Sequence, residues 1–167
     1  DGLSLSDLVL RRSLRDYLFQ DGIFERRSLY RKRGRNESIL LQNVNYFIGR
    51  TSWDEGLVRN VNPLAKYFHC GRIMRPEFYK YDWSLKGCKR YTIHVTQANY
   101  SLKGLHVLLD ALYIVKRHFP EVMLTVSGKN LLKNDNLKDK ISMTGYQRVI
   151  SSKIKRLLLS DNVQFTG

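Results

Sequence analysis

The chain has 167 residues and a formal net charge of +14, from 29 lysines and arginines against 15 acidic side chains. Hydrophobic residues make up 43% of it, which is enough to build a core and excludes a disordered basic tail. Its two cysteines are too few for a disulfide scaffold, and its four histidines show no zinc spacing. The charge indicates anionic partners, which are nucleic acid, a membrane surface or phosphorylated small molecules.

No run of about 20 apolar residues is present, so the sequence predicts no transmembrane helix. The N-terminus is polar and its first arginines follow its leucines, which does not fit a signal peptide. We therefore expect a cytoplasmic protein with reduced thiols.

The first part of the chain is predicted to be mostly helical. Apolar spacing predicts a helix from residue 4 or 6 to residue 19. The basic stretch 22–35 predicts a second helix that ends in a turn at Gly34, and Asn36 is the expected cap of a short helix through Leu41.

Two short strands with a helix between them follow. Residues 44–49 and 67–70 are apolar runs that predict strands. Thr51 or Ser52 begins the helix between them, with Asp54 at its positive end. Trp53 is expected to pack against the fold. The alternative is that Arg50, Trp53 and Asp54 line the cleft between the two domains.

An aromatic connector then leads to a second domain. Phe78, Tyr79, Tyr81 and Trp83 predict a packed connector rather than a flexible linker. We place the boundary after it, which divides the chain into residues 1–83 and 84–167. His69 and Cys70 are interpreted as core residues, because no partner spacing supports a nucleophile.

Residues 89–128 carry the clearest pattern in the sequence. Alternating side chains predict a strand at 91–96, and residues 97–101 form a polar loop whose Ser101 is the expected helix cap. The apolar positions between Leu105 and Val115 predict one apolar helical face, and residues 122–126 form a second strand. Two strands joined by one such helix predict a parallel βαβ unit.

The pattern then repeats once. Residues 146–159 predict a helix and residues 162–167 the start of a third strand. The fold class is therefore α/β, with a parallel, Rossmann-like β-α-β-α-β unit. Ligands bind such sheets at the carboxyl ends of the strands, where helix N-termini attract phosphate.

These features in this order are similar to a known family. The segments S-L-K-G, P-E-V-M-L-T-V-S-G and N-V-Q-F-T-G resemble the C-terminal domain of group 1 glycosyltransferases with the GT-B fold. The segments I-G-R-T-S-W-D and Y-F-H-C resemble the end of the N-terminal, acceptor-side domain and the connector in bacterial members. The resemblance covers about residues 36–167, and more loosely 1–35.

The resemblance implies a hexosyltransferase-like enzyme of polysaccharide biosynthesis, which retains configuration at the sugar. It would use a nucleotide-diphosphate sugar and a glycan or lipid-linked acceptor, with peripheral membrane contact. Its paired-glutamate motif is not in this sequence, so the isolated chain is expected to be inactive. No Asp-x-Asp motif is present to hold Mg²⁺, and no cofactor is expected beyond the donor.

The resemblance also assigns candidate donor-binding residues, each with an alternative. Lys103 occupies the place of a phosphate-binding lysine, or is a solvated lysine in a first helical turn. Gln97 stands where many members carry an arginine, and Gly104 either admits phosphate or only starts the helix. Asn99 could donate a hydrogen bond to the ligand, and so could Ser101 if it does not cap the helix. Gly128 either contacts the nucleotide or is a plain turn glycine.

Two other functions stay open. The basic runs 26–27 and 31–33 suit RNA or anionic lipid, although a solvated helix face is the simplest interpretation. Nucleic acid is the less favoured partner, because the charge excess is spread along the chain. A nucleotide-binding enzyme of another kind is disfavoured, since no G-x-G-x-x-G and no Walker loop is present. His106 is interpreted as a surface residue.

Overall fold

The computed structural model describes residues 3–4, 12–132 and 142–166. The chain forms two compact units. The larger unit comprises Asp1–Arg27 with Lys89–Gly167, and the smaller unit comprises Ser28–Cys88.

The helices and strands are mostly those that the sequence predicts, with shifted ends. In chain order the helices are α1 (Leu14–Phe19), α2 (Ile23–Asn43), α3 (Ser52–Val61), α4 (Leu105–Lys116) and α5 (Gly145–Arg156). The strands are β1 (Tyr46–Gly49), β2 (Lys66–His69), β3 (Thr92–Thr96), β4 (Met123–Ser127) and β5 (Val163–Phe165). Short 3₁₀ turns lie at Pro76–Tyr79, Leu85–Gly87, Ser101–Lys103 and Ser160–Asn162.

The larger unit contains a three-stranded sheet in the order β3-β4-β5. Both pairings are parallel, with Thr92 opposite Met123 and Leu124 opposite Val163. Helix α4 connects the first pair of strands and α5 lies between the second pair in the chain. The predicted parallel β-α-β-α-β unit is thus confirmed at the level of an α/β fold with parallel sheets.

The core of the larger unit lies between its sheet and its helices. The predicted apolar face of α4 is buried, and Leu105, Leu109 and Leu112 have no exposed surface. They pack in one cluster with Leu124 of β4 and Ile150 of α5. Burying a leucine of this kind contributes about 2 kcal/mol, so this cluster holds the sheet edge in place.

The smaller unit is a single βαβ unit. Strands β1 and β2 pair in parallel, with Tyr46 opposite Lys66. The Thr51 hydroxyl accepts a hydrogen bond from the Asp54 N–H and caps α3, as predicted. Among the described residues of this unit, only Val58 and Ala65 are buried hydrophobics, so its core is small.

The N-terminal helices differ from the prediction. Helix α2 continues through Gly34 and Asn36, so the predicted turn and cap are wrong. One helical glycine costs only about 1 kcal/mol, and its neighbours are good helix formers. Helix α1 begins after Ser13, whose side chain forms a capping box with Asp16. The predicted helix also covered residues 5–11, which lie outside the described residues.

The aromatic connector is not packed as predicted. Phe78, Tyr79, Tyr81 and Trp83 are between 65% and 81% exposed. Aromatic content alone therefore did not indicate burial here, because no strand or long helix carries these rings towards a core. Within the part of the chain that the structure describes, no helix has the length and apolar content needed to cross a membrane.

Candidate functional site

The site predicted by the sequence lies at the carboxyl edge of the three-stranded sheet. Gln97 follows β3 and Gly128 follows β4, so parallel pairing brings the two residues together. The Gln97 N–H donates to the Ser127 carbonyl at 3.0 Å. Thr166, which follows β5, donates from its hydroxyl to the Ser127 hydroxyl at 3.2 Å.

The backbone at this edge is conformationally unusual. Gln97 has a φ of 54°, in the left-handed region that non-glycine residues rarely adopt. Gly128 has a φ of 108°, and a Cβ there would lie 3.7 Å from the Gln97 Cα. A left-handed residue stores about 1 kcal/mol of strain, and such strain concentrates at ligand sites.

The loop after β3 enters α4 through a glycine rather than a serine. Ser101–Lys103 form a 3₁₀ turn, and Gly104 is the N-cap of α4 with a φ of 74°. The predicted capping role of Ser101 is therefore wrong, because the intervening turn moves the helix start to Leu105. The backbone of Gly104 needs glycine, and its Cα faces open space.

Lys103 is exposed at this entry to α4. Its Nζ lies 5.7 Å from the centre of the Tyr100 ring, a cation–π distance. The ammonium and the N-terminus of α4 both favour negative charge nearby.

A buried tyrosine of α5 reaches the first turn of α4. Burial raises the pKa of Tyr146 to about 12, and backbone hydrogen bonds from His106 and Leu105 oppose that rise. The His106 Nδ1 lies 3.4 Å from the Tyr146 hydroxyl oxygen, and the two rings meet edge to face. His106 is only 1% exposed, so its interpretation as a surface residue is wrong.

A small pocket of about 40 Å³ lies beside this tyrosine. Residues 99–101 line it together with Thr144 and Tyr146. The rest of its lining comes from the N-terminal segment, namely Asp16, residues 21–23 and Arg26.

The structure thus splits the five predicted donor-binding residues into three places. Gln97 and Gly128 are in contact at the sheet edge. Asn99 lines the pocket, and Lys103 and Gly104 lie at the entry to α4 outside the pocket lining.

Two groups at the site were missed from the sequence. Thr144 and Gln147 form a capping box at the start of α5, and the T-x-x-Q spacing was a signal that could have found it. Asp16 accepts a hydrogen bond from the Gly145 N–H at 2.6 Å. No local pattern links residues so far apart in the chain.

The smaller unit has a polar cluster of its own. The Nε2 of His69 lies 2.9 Å from Oε2 of Glu55, and Arg59 donates to the other oxygen at 2.8 Å. These two hydrogen bonds lower the pKa of Glu55, that from His69 most. The Thr51 side chain and then the Arg50 backbone lower the pKa of Asp54.

Three interpretations in the smaller unit are wrong. His69 and Cys70 are exposed instead of forming a core, because β1 and β2 make too small a sheet to bury them. Trp53 is 82% exposed and does not pack. No set of three or more His, Cys, Asp or Glu side chains among the described residues is placed to hold a metal ion.

Comparison with protein-family models, curated proteins and solved structures finds no match to this chain.

Proposed function

We propose that this chain is the donor-binding part of a group 1 glycosyltransferase with the GT-B fold. Such an enzyme transfers a sugar from a nucleotide-sugar donor to a glycan or lipid-linked acceptor. The observation that carries the proposal is the position of Lys103 and Gly104, between the carboxyl end of β3 and the first turn of α4.

Electrostatics at this position suit a diphosphate. Lys103 makes no ion pair with any residue that the structure describes, so its charge is available to an anion. An ammonium acts as a point charge on phosphate, and the helix N-terminus adds its partial positive charge. We expect the diphosphate to lie across the exposed entry to α4.

Tyr146 would add a neutral donor to the same ligand. Because the pKa of Tyr146 is about 12, its hydroxyl keeps its proton at neutral pH. The hydroxyl accepts from backbone N–H groups of α4. Its own proton can go to a ligand when the His106 Nδ1, 3.4 Å away, carries a proton and donates to the tyrosine oxygen.

Gln97 takes the place of the second cation that many members of the family carry. Its left-handed backbone places it at the junction of β3 and β4, beside Gly128. A carboxamide can donate to a phosphate or sugar oxygen but supplies no charge. We therefore expect weaker donor binding than an arginine at this position would give.

Transfer itself is not expected from these residues alone, since the family's paired glutamates are not in this sequence. The test of the proposal is calorimetric titration of UDP, GDP and their sugar conjugates into the chain. Lys103→Ala should weaken binding at least about tenfold, because it removes the phosphate cation. Lys155→Ala removes an exposed lysine near the end of α5 and should leave binding unchanged.

A second candidate function rests on α2. This 21-residue helix has no buried residue, and it carries Arg31, Lys32, Arg33 and Arg35 in succession around Gly34. Such a surface suits RNA phosphates. Binding of RNA that falls steeply with salt, together with no binding of any nucleotide, would favour this candidate and contradict the first.

A further inference from the structure

We infer that residues 12–26, here called the N-terminal cover, compete with the phosphate ligand for the carboxyl edge of the larger unit. The Asp16 carboxylate holds an anion position at the N-terminus of α5. That the ligand is a nucleotide diphosphate rests on the function proposed above. That Asp16 occupies the anion position does not depend on it.

The carboxylate of Asp16 is placed as a bound anion would be. Its Oδ2 accepts from the Gly145 N–H at 2.6 Å, at the first residue of α5. The residue is 2% exposed, and its Oδ1 has no hydrogen-bond partner among the described residues. The Arg15 Nη1 lies 3.9 Å from Oδ1, at an ion-pair distance.

A buried carboxylate with one unsatisfied oxygen is costly, so this arrangement needs an explanation. The N–H groups at a helix start bind anions in general, whether carboxylate or phosphate. Asp16 therefore occupies the place at α5 that a phosphate group would otherwise take.

The space that remains beside the cover is too small for a diphosphate. The pocket measures about 40 Å³, which is room for about three water molecules. Asn99 and Tyr146 line it on the sheet side, and Asp21 and Arg26 belong to the cover. A phosphate ligand can contact Asn99 and Tyr146 there only after the cover has moved away.

The following polar contacts join residues of the cover to one another and do not fasten it to α4 or α5, whereas the hydrogen bond from the Gly145 N–H to Asp16 does. Arg15 forms a two-point pair with Asp21 at 2.8 and 2.9 Å, and Arg12 pairs with Glu25. Ser13 and Asp16 cap α1 by two hydrogen bonds of 3.0 and 3.1 Å.

The outer face of α1 contributes little burial. Among the cover side chains that the structure describes, Tyr17, Leu18 and Phe19 are between 66% and 75% exposed, and Ile23 packs against the core. A segment with so little apolar burial opens more readily than the sheet beneath it.

The test is titration of inorganic pyrophosphate and of UDP into the full chain and three variants. Asp16→Asn should bind pyrophosphate about tenfold more tightly, because the competing charge is gone and the open state is more populated. Ser13→Ala leaves the carboxylate but weakens the cap, and should gain about threefold. Asp161→Asn removes the same charge from an exposed turn and should bind as the unchanged chain does.

Hydrogen exchange gives an independent measurement on the unchanged chain. Saturating pyrophosphate should speed the exchange of amides 14–22, because the cover is released. It should slow the exchange of amides 145–147, because the ligand replaces Asp16. If Asp16→Asn does not fold, Ser13→Ala and this measurement decide.

The results of these experiments distinguish the proposed cover from the proposed nucleotide site. Equal pyrophosphate and UDP affinities in all variants, with unchanged exchange at 14–22, would overturn the cover and leave the nucleotide site standing. A gain for pyrophosphate in Asp16→Asn without UDP binding would support the cover and overturn the nucleotide proposal. No binding by any variant would overturn both.

Discussion

Three candidate residues, two at the sheet edge and one at the entry to α4, have backbone conformations that ordinary side chains rarely adopt. Gln97, Gly104 and Gly128 all have positive φ, and all three are candidate donor-binding residues. Two of them are glycines, which adopt this region without strain, whereas Gln97 adopts it at a cost. Substitutions at these positions therefore test the effect of backbone strain separately from that of packing.

We predict that Gly104→Ala destabilises the larger unit by about 1 kcal/mol, since alanine is strained at positive φ. A clash is not the cause, because no atom lies within 4 Å of the added Cβ. Gly34→Ala is the matched control, since its Cβ also meets open space but its backbone is helical. It should stabilise the smaller unit by roughly 1 kcal/mol. Urea unfolding measures both, and equal effects of the two substitutions would refute the strain argument.

For Gln97→Gly we predict a gain in stability of about 1 kcal/mol, because the left-handed backbone no longer carries a Cβ. Thr96→Gly, one residue earlier in β3, should instead lose about 1 kcal/mol. Urea unfolding midpoints compare the two variants. A loss of stability in Gln97→Gly would show that its side chain, and not strain, dominates at this position.

At the level of elements, an asparagine precedes the last strand of each compact unit. Asn162 donates from its Nδ2 to the Pro120 and Val122 carbonyls at 2.9 and 2.8 Å. Asn62 donates to the Val44 carbonyl at 3.0 Å in the smaller unit. Both amides donate to carbonyl groups just before a neighbouring strand.

We predict that Asn162→Ala destabilises the larger unit by about 2 kcal/mol, since it removes two hydrogen bonds, one of them to the carbonyl of the buried Val122. Asn62→Ala should cost about 1 kcal/mol, because Asn62 is only half-buried. Thermal unfolding of both variants checks the order. A smaller effect at Asn162 than at Asn62 would contradict it.

The contact between α3 and β2 should make the stability of the smaller unit depend on pH. The hydrogen bond from His69, and then that from Arg59, lower the pKa of Glu55 below its usual 4.5 in the folded chain. The unfolded state therefore binds more protons between the two pKa values. The stabilisation is present above pH 4.5 and is lost as the pH falls through the folded pKa.

Carbon-13 NMR titration of the Glu55 carboxyl group measures this pKa directly. We predict that His69→Ala moves the pKa of Glu55 back towards 4.5, since it removes the hydrogen bond that lowers this pKa most. Arg59→Ala should move it less. An unchanged pKa in His69→Ala would show that the pair does not form in solution.

At the scale of the whole molecule, the two units differ in how much apolar surface they bury. The core cluster, including Leu109, Leu124 and Ile150, lies in the larger unit, and Val58 and Ala65 are the buried hydrophobics among the described residues of the smaller unit. We predict faster hydrogen exchange in β1 and β2 than in β3 and β4, because opening the smaller unit exposes less apolar surface. Peptide-resolved exchange measures this, and equal protection of both sheets would contradict it.

The parallel sheet of the larger unit could be predicted because its signals are local. Strand alternation and the spacing from Leu105 to Leu112 record which faces are buried. The sequence also placed Gln97 and Gly128 at the same edge, since parallel strands share their carboxyl ends.

The contacts made across the chain could not be predicted in this way. His106 is buried because Tyr146 of α5 reaches it, and Asp16 meets Gly145 across a separation of 129 residues. Ser101 does not cap α4 because a 3₁₀ turn at Ser101–Lys103 precedes the helix, and the left-handed backbone of Gly104 joins the two.

In the proposed site, a nucleotide diphosphate binds at the entry to α4. Nitrogen-15 NMR spectra of the chain during UDP titration test it most directly, because each backbone amide reports separately. We predict shifts concentrated at Gln97, Lys103, Gly104 and Gly128, and weaker shifts in Lys103→Ala. Shifts confined to the basic residues of α2, or no shifts at all, would contradict it.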